Sequence, residues 1–381
     1  MNNGNYTEKA KSLLDSFLTR TGIMDTGGDI SRRYLWTDAF AVQACFSLNH
    51  ILENKDYLNF GLRLIREVHN HLGSHRPDDR RKGWISGLSR KEGEEHPTVN
   101  GLRIGKKLPE KPEGDPFYQR LEWERDGQYF HYLTRWFNAL HQAYAETNEK
   151  TYARWAVELI GTGRKFIYKE DHGIGMVWKM NIDLTEAVVE SMGAHDPLEG
   201  LICVLSAKNI LTTKEQQLMN LESDFERLCR PMNWYTTDAL GIGGLLLNVA
   251  RTSELELNDH LLPSSVKPAK LLKDALTGLS NFQINYFDPQ QPADTRLAFR
   301  ECGLSLGIRV LIGMRDRFTN IDLSELKNYQ SIAEEIELFW LDPSSRQALT
   351  WRDHLDINAV TLASSLLARE HPNAFCATSI R

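Results

Sequence analysis

The sequence predicts an all-α protein: a single (α/α)6 barrel, or toroid, of about twelve helices in six hairpins spanning residues 1–381, with long loops over one mouth. Three observations predict it. Apolar residues recur at three- and four-residue intervals, as in Leu58, Leu62, Ile65, Val68 and Leu72, while alternating strand-like runs are scarce. Helices of two characters follow one another along the chain, and the alternation repeats six times, as in a closed array of helical hairpins.

One set is amphipathic, with apolar residues on one face and Lys, Glu or Asp on the other: about 6–19, 55–72, 150–168, 212–229, 265–282 and 324–341. These are expected to be outer helices. The other set, about 35–52, 127–146, 197–210, 238–252, 298–314 and 355–369, is small and apolar all round, as in LGIGGLLLNVA and CGLSLGIRVLIGM. A helix apolar on every side is buried, so these are the inner helices. Gly241, Gly243 and Gly244 fall inside one of them, which reads as close helix packing rather than a phosphate-cradling loop.

Two connections, about 74–125 and 169–195, are much longer than a hairpin needs and are rich in Gly and charge. Loops of this length in a compact domain are commonly functional lids, and Trp84, Ile85, Phe117, Tyr118 and Trp123 predict that the first is ordered. The stretch GIGMVWKMNID, about 173–183, reads as a turn leading into a short strand.

A hydrophobic fraction of 41% and a charged fraction of 25% allow a large core without disulfides or metals. A net charge of -6 without a long Lys/Arg run argues against nucleic acid and anionic membrane surfaces as partners. The N-terminal residues show no basic start followed by an apolar segment, and nowhere do 18 apolar residues run together, so a cytoplasmic protein is expected. Cys45, Cys203, Cys229, Cys302 and Cys376 form no CxxC pair and read as buried free thiols. The run HNHLGSH, with His69, His71 and His75, is too weak a pattern for a metal site, and neither metal nor cofactor is expected.

The inner-helix starts share a composition the repeat does not require: RRYLWTDAF, EWERDGQYFHY, MGAHDPLEGL, NWYTTDALGIG, RLAFRECGLS and TWRDHLDINA. Their acids are Asp38, Asp126, Asp196, Asp238, Glu301 and Asp353, spaced 88, 70, 42, 63 and 52 residues apart. In a barrel the six starts face one mouth, together with Arg33, Trp36, Trp84, Tyr129, His131, His195, Trp234, Tyr235, Arg300, Trp351 and His354. Sugar rings stack on aromatic faces, their hydroxyls bond carboxylates and Arg, and glycosidic cleavage needs a carboxylic acid and a carboxylate. An Asp at a helix start is also a good N-cap, and DPLE at 196–199 is a capping pattern with Pro at the first helical position. Capping does not account for the aromatic, His and Arg neighbours.

With these motifs the chain resembles the six-hairpin glycosidase-like superfamily of (α/α)6 toroids over about 6–369. The resemblance implies a carbohydrate-active enzyme, a glycoside hydrolase acting on an oligosaccharide, with its acid and base among Asp126, Asp196, Asp38 and Asp353. Asp126 and Asp196 are the expected pair, since each follows a long loop and has a neighbouring His, His131 or His195. RRYLWTDAF also resembles the early W-x-x-A-R segment of N-acylglucosamine 2-epimerase-like barrels, with Phe40 in place of the Arg. That group implies a His195 and His354 acid/base pair. A non-catalytic carbohydrate-binding barrel is the third reading, and the partner expected in all three is a small-molecule carbohydrate.

Overall fold

The computed structural model describes residues 3–376 other than 113, 117, 172 and 211–215, and only the backbone of 3–5, 119, 216 and 217. Phe117 of the expected lid and positions 212–215 of the expected helix 212–229 therefore lie outside the described residues.

Each expected helix has a counterpart: α1 Asn3–Arg20, α2 Leu35–Leu52, α3 Lys55–Leu72, α4 Phe130–Thr147, α5 Lys150–Gly161, α6 Asp196–Ile210, α7 Gln216–Cys229, α8 Ala239–Leu257, α9 Pro268–Asn285, α10 Ala298–Gly313, α11 Gln330–Leu341 and α12 Leu355–Leu367. The expected helix 150–168 is shorter than its pattern. After Gly161 one further turn, Gly163–Phe166, gives way to strand β2, Ile167–Glu170. Two glycines weaken the helix there, and pairing of Ile167 with Met176 of β3, Gly173–Met176, takes the β-branched residue into a hairpin. The expected helix 324–341 begins instead as a 3-10 turn, Glu325–Tyr329. Helix α8 outruns its expected end at 252 because SELEL continues with good helix formers. No helix among the described residues is long and apolar enough to cross a membrane.

The chain divides into two compact units, the first being Met1–Arg20, Phe40–Gly61 and Arg230–Ser379. In it α8, α10 and α12 pack side by side, with α9 on α8, α11 on α10 and α1 on α12. Helices α8 and α10 cross at backbone distance: a Cβ at Gly243 would lie 2.1 Å from the Gly303 carbonyl oxygen, and one at Gly307 would lie 2.4 Å from that of Gly243. Gly243 thus has the packing role expected of it. The polar core of the unit is Glu337, which accepts from Ser305, Ser365, Arg309 and Arg369.

The second unit is chiefly Thr21–Ala39 and Leu62–Cys229. Here α4 packs on α5 and α6, and α7 on α6. The second long connection holds more strand than expected: besides the β2–β3 hairpin, β4 (Lys179–Met180) pairs on one side with β1 (Gln128–Tyr129) and on the other with β5 (Ala187–Val189). The first connection is well packed over 84–105. Trp84 fills the space over Gly93, where any Cβ would meet its ring, and a capping box between Ser89 and Glu92 starts the short helix Arg90–Glu95. All five cysteines are buried and free.

Candidate active site

Of the six predicted acids, Asp38, Asp126 and Asp196 belong to the second unit. Each begins a helix or lies just before one, yet their surroundings differ. Asp38, in the first turn of α2, accepts the Tyr34 backbone N–H at 3.0 Å and lies 3.6 Å from Arg33. Asp38 thus satisfies a backbone N–H at the start of α2, and its side chain and that of Arg33 are both buried. Arg33 itself points at backbone, donating to the Thr21 carbonyl.

Asp126 is wholly enclosed. One oxygen accepts from Arg103, with Arg76 3.6 Å away, and the other accepts backbone N–H groups of Gly105 at 3.0 Å, Lys106 at 3.3 Å and Gly127 at 3.1 Å. With its acceptor positions filled, this carboxylate fastens residues 103–106 of the first long loop to the segment that leads into α4.

Asp196 is the contrary case. It opens α6, is buried, and its Oδ2 has no hydrogen-bond partner. A Cβ at Gly193 would lie 2.5 Å from the carboxyl atoms, so only glycine lets the backbone close over them. Burial raises the Asp196 carboxyl well above the usual carboxylate range, and the charge of Glu199 raises it further, against a smaller opposing effect of Arg135. Glu199, one turn on, accepts from Thr134 Oγ1 at 2.6 Å and pairs with Arg135.

Beside Asp196 stands a cluster of rings from α4 and the strands. His131 Nδ1 is 4.0 Å from Asp196 Oδ1 and receives the indole N–H of Trp178 at 3.0 Å. Burial lowers the His131 pKa to about 4, so the imidazole is neutral at pH 7. Tyr129 stacks on His131 and Trp178 at centroid distances of 5.4 and 4.8 Å, Trp123 meets Trp178 edge-on at 4.5 Å, and the Tyr34 and Tyr132 hydroxyls lie 2.6 Å apart. Trp123 is exposed, and His131, Tyr132, Tyr34 and Trp178 are partly so. An open aromatic surface therefore borders a buried carboxylic acid. His195, the residue before Asp196, is half-buried.

The remaining predicted residues of this unit are interior. Trp36 is buried, and Trp84 packs over glycines of its own loop rather than facing a ligand.

In the first unit, Asp238 caps α8 by accepting the Gly241 N–H at 2.8 Å and pairs with Arg300; both side chains are about two-fifths exposed, and Tyr235 is exposed. Glu301 holds Arg296 through both oxygens and accepts from the Trp340 indole at 2.7 Å. Trp351 is buried against Trp340, and Trp234 is buried with its N–H on the Ser265 carbonyl. Each of these three spends its polar atoms or ring faces on neighbours. Asp353 and His354 are exposed, between a short helical turn and α12. A groove of about 490 Å³ between α9 and the 3-10 turn, lined by Lys273, Asn281, Asp322 and Glu325 among others, contains none of the predicted residues.

The sequence reading missed Trp178, Glu199, Arg135, Tyr34 and Tyr132. Glu199 was visible as the fourth residue of DPLE, where capping explains it equally well. Trp178 sits in no helix, and only strand pairing brings it to His131.

No known family model matches the chain, and no curated protein does. Solved structures do match. The GH76A alpha-1,6-mannanase from Salegentibacter sp. HEL1_6 superposes with a TM-score of 0.55 at 12% identity over 96% of this chain and 99% of that one. An inactive variant of it with two adjacent aspartates replaced by Asn, in complex with alpha-1,6-mannotriose, gives 0.55 at 10% identity over 96% and 98%. The corresponding Ala variant with alpha-1,6-mannotetrose gives 0.57 at 11% identity over the same shares. The one adjacent Asp pair in the present sequence, Asp78–Asp79, lies in the first long loop, paired with Arg76 and Arg81. At this identity the likeness is one of fold, and the fold of the chain is an all-α (α/α)6 toroid.

Proposed function

We propose that the protein is a glycoside hydrolase acting on an oligosaccharide, with Asp196 as the proton donor to the leaving oxygen and Glu199 as the carboxylate partner. The observation that carries this reading is the Asp196 carboxyl: buried, lacking a partner at Oδ2, and raised in pKa beside an open set of aromatic rings. A general acid must hold its proton at working pH, while its partner acts as the anionic carboxylate. Asp196 and Glu199 lie one turn apart on α6, where side chains three residues apart are neighbours. Trp123 and the partly exposed Trp178 supply faces for sugar rings. The likeness in fold to a mannanase with bound mannooligosaccharides makes α-1,6-linked mannosides the first substrates to try.

The test is product analysis after incubation with α-1,6-mannooligosaccharides and a wider glycan panel. Wild type is expected to release shorter saccharides, and Asp196→Asn to lose about 10²–10⁴-fold in rate, the usual worth of a general acid. Saturable sugar binding without any product would replace the reading with a binding barrel. Solvent deuterium entering a sugar carbon next to a carbonyl would replace it with an epimerase.

A further inference from the structure

The register of β1 on β4 sets Tyr129 opposite Lys179 and Gln128 opposite Met180, which brings Trp178 to the first residue of α4. There the Phe130 N–H bonds the Trp178 carbonyl at 3.4 Å, while the Trp178 N–H bonds the Val189 carbonyl at 3.2 Å. The backbone of Trp178 is thereby fastened one residue before His131. Its indole lies almost coplanar with the imidazole, at 9°, and donates to Nδ1. Tyr129 stacks on both rings.

An indole can only donate, and a neutral imidazole has one donor and one acceptor. Nδ1 must then be the bare nitrogen, and the proton sits on Nε2. The other tautomer would set two N–H groups against each other. No residue among those described takes Nε2, and a quarter of the ring is exposed.

We propose that Trp178 is a positioning residue that locks His131 as an Nε2–H donor, offered to an acceptor oxygen of the bound sugar beside the unpartnered Oδ2 of Asp196. The identity of that acceptor rests on the glycosidase reading; the locked tautomer does not. Two independent measurements separate them.

The first uses the full chain labelled with 15N-histidine and two-bond 1H–15N spectra at pH 7. Wild type is expected to show His131 in one form, protonated at Nε2 with Nδ1 bare, and the Trp178 indole proton coupled to that nitrogen. Trp178→Phe is expected to show both tautomers. A wild-type ring protonated at Nδ1, or an unchanged ring in Trp178→Phe, overturns the proposal; the wild-type spectrum decides even if the variant does not fold. The second adds α-1,6-mannotriose, which is expected to move the Nε2–H resonance and not the Nδ1 signal. Turnover by Trp178→Phe is expected to fall about three- to tenfold in kcat/KM, the worth of one hydrogen bond. If wild type neither binds nor cleaves any glycan while the tautomer is as expected, the glycosidase reading fails and with it the sugar acceptor. If turnover is normal and the tautomer is wrong, the lock fails and the glycosidase reading stands.

Discussion

Arg103 holds Asp126 in a pair from which solvent is excluded, while the other oxygen of the same carboxylate takes three backbone N–H groups. Removing one partner of a buried pair leaves an uncompensated charge, at a cost of about 3–5 kcal/mol. Arg103→Met is therefore expected to lower the free energy of unfolding by that amount in urea titrations. A change below about 0.5 kcal/mol would show that Asp126 is not a structural clamp.

Asp196 makes the stability depend on pH. Its folded pKa lies above the unfolded value near 3.8, so the native state binds the extra proton, and the cost of burying the group grows as pH rises from the unfolded value through the folded one. Asp196→Asn abolishes that cost. The variant is expected to lose activity at pH 7 yet unfold at a temperature equal to or above that of wild type, with any advantage shrinking towards pH 3.8. A sharp loss of stability at pH 7 would count against a protonated Asp196.

Glu199→Gln removes the charge that helps hold the proton on Asp196 and leaves Arg135 to pull the pKa down. The alkaline limb of the rate profile, where the acid loses its proton, is expected to move to lower pH. A limb that stays in place would detach Glu199 from the acid.

For His131 the sign is opposite. The unfolded imidazole takes a proton near pH 6.5 and the folded one only near 4, so between those values the unfolded chain binds more protons and stability falls as the solution is acidified. His131→Asn is expected to flatten the stability curve across pH 4–6.5. An unchanged slope in that window would mean that His131 titrates normally in the fold.

The contact of α8 with α10 tolerates no side chain. Gly243→Ala would set its Cβ 2.1 Å from the Gly303 carbonyl oxygen, and an overpacking cost of about 1–3 kcal/mol or more is expected from thermal or urea unfolding. Wild-type stability would mean that the helices separate freely there.

The helices were legible because their cause is local. The period of LGIGGLLLNVA or of Leu58 to Leu72 states which face is buried, and burial of that face fixes the element wherever it docks. The failures were equally physical. In 150–168 the apolar period runs on past Gly161, but the cross-strand pairing of Ile167 with Met176, made with residues beyond the pattern, competes with it.

What the sequence by itself determined was the alternation of helices, and hence the fold, together with a set of acids at helix starts. Composition could not sort those acids, because an Asp that caps a helix and an Asp that gives up a proton are written alike. Tertiary structure gave them different surroundings by supplying or withholding donors: backbone N–H groups and Arg103 for Asp126, a lone unpartnered oxygen under Gly193 for Asp196. It also brought in Trp178 through a two-residue strand pairing. A carboxyl's proton affinity depends on what surrounds it within a few ångströms, and most of those atoms come from distant parts of the chain.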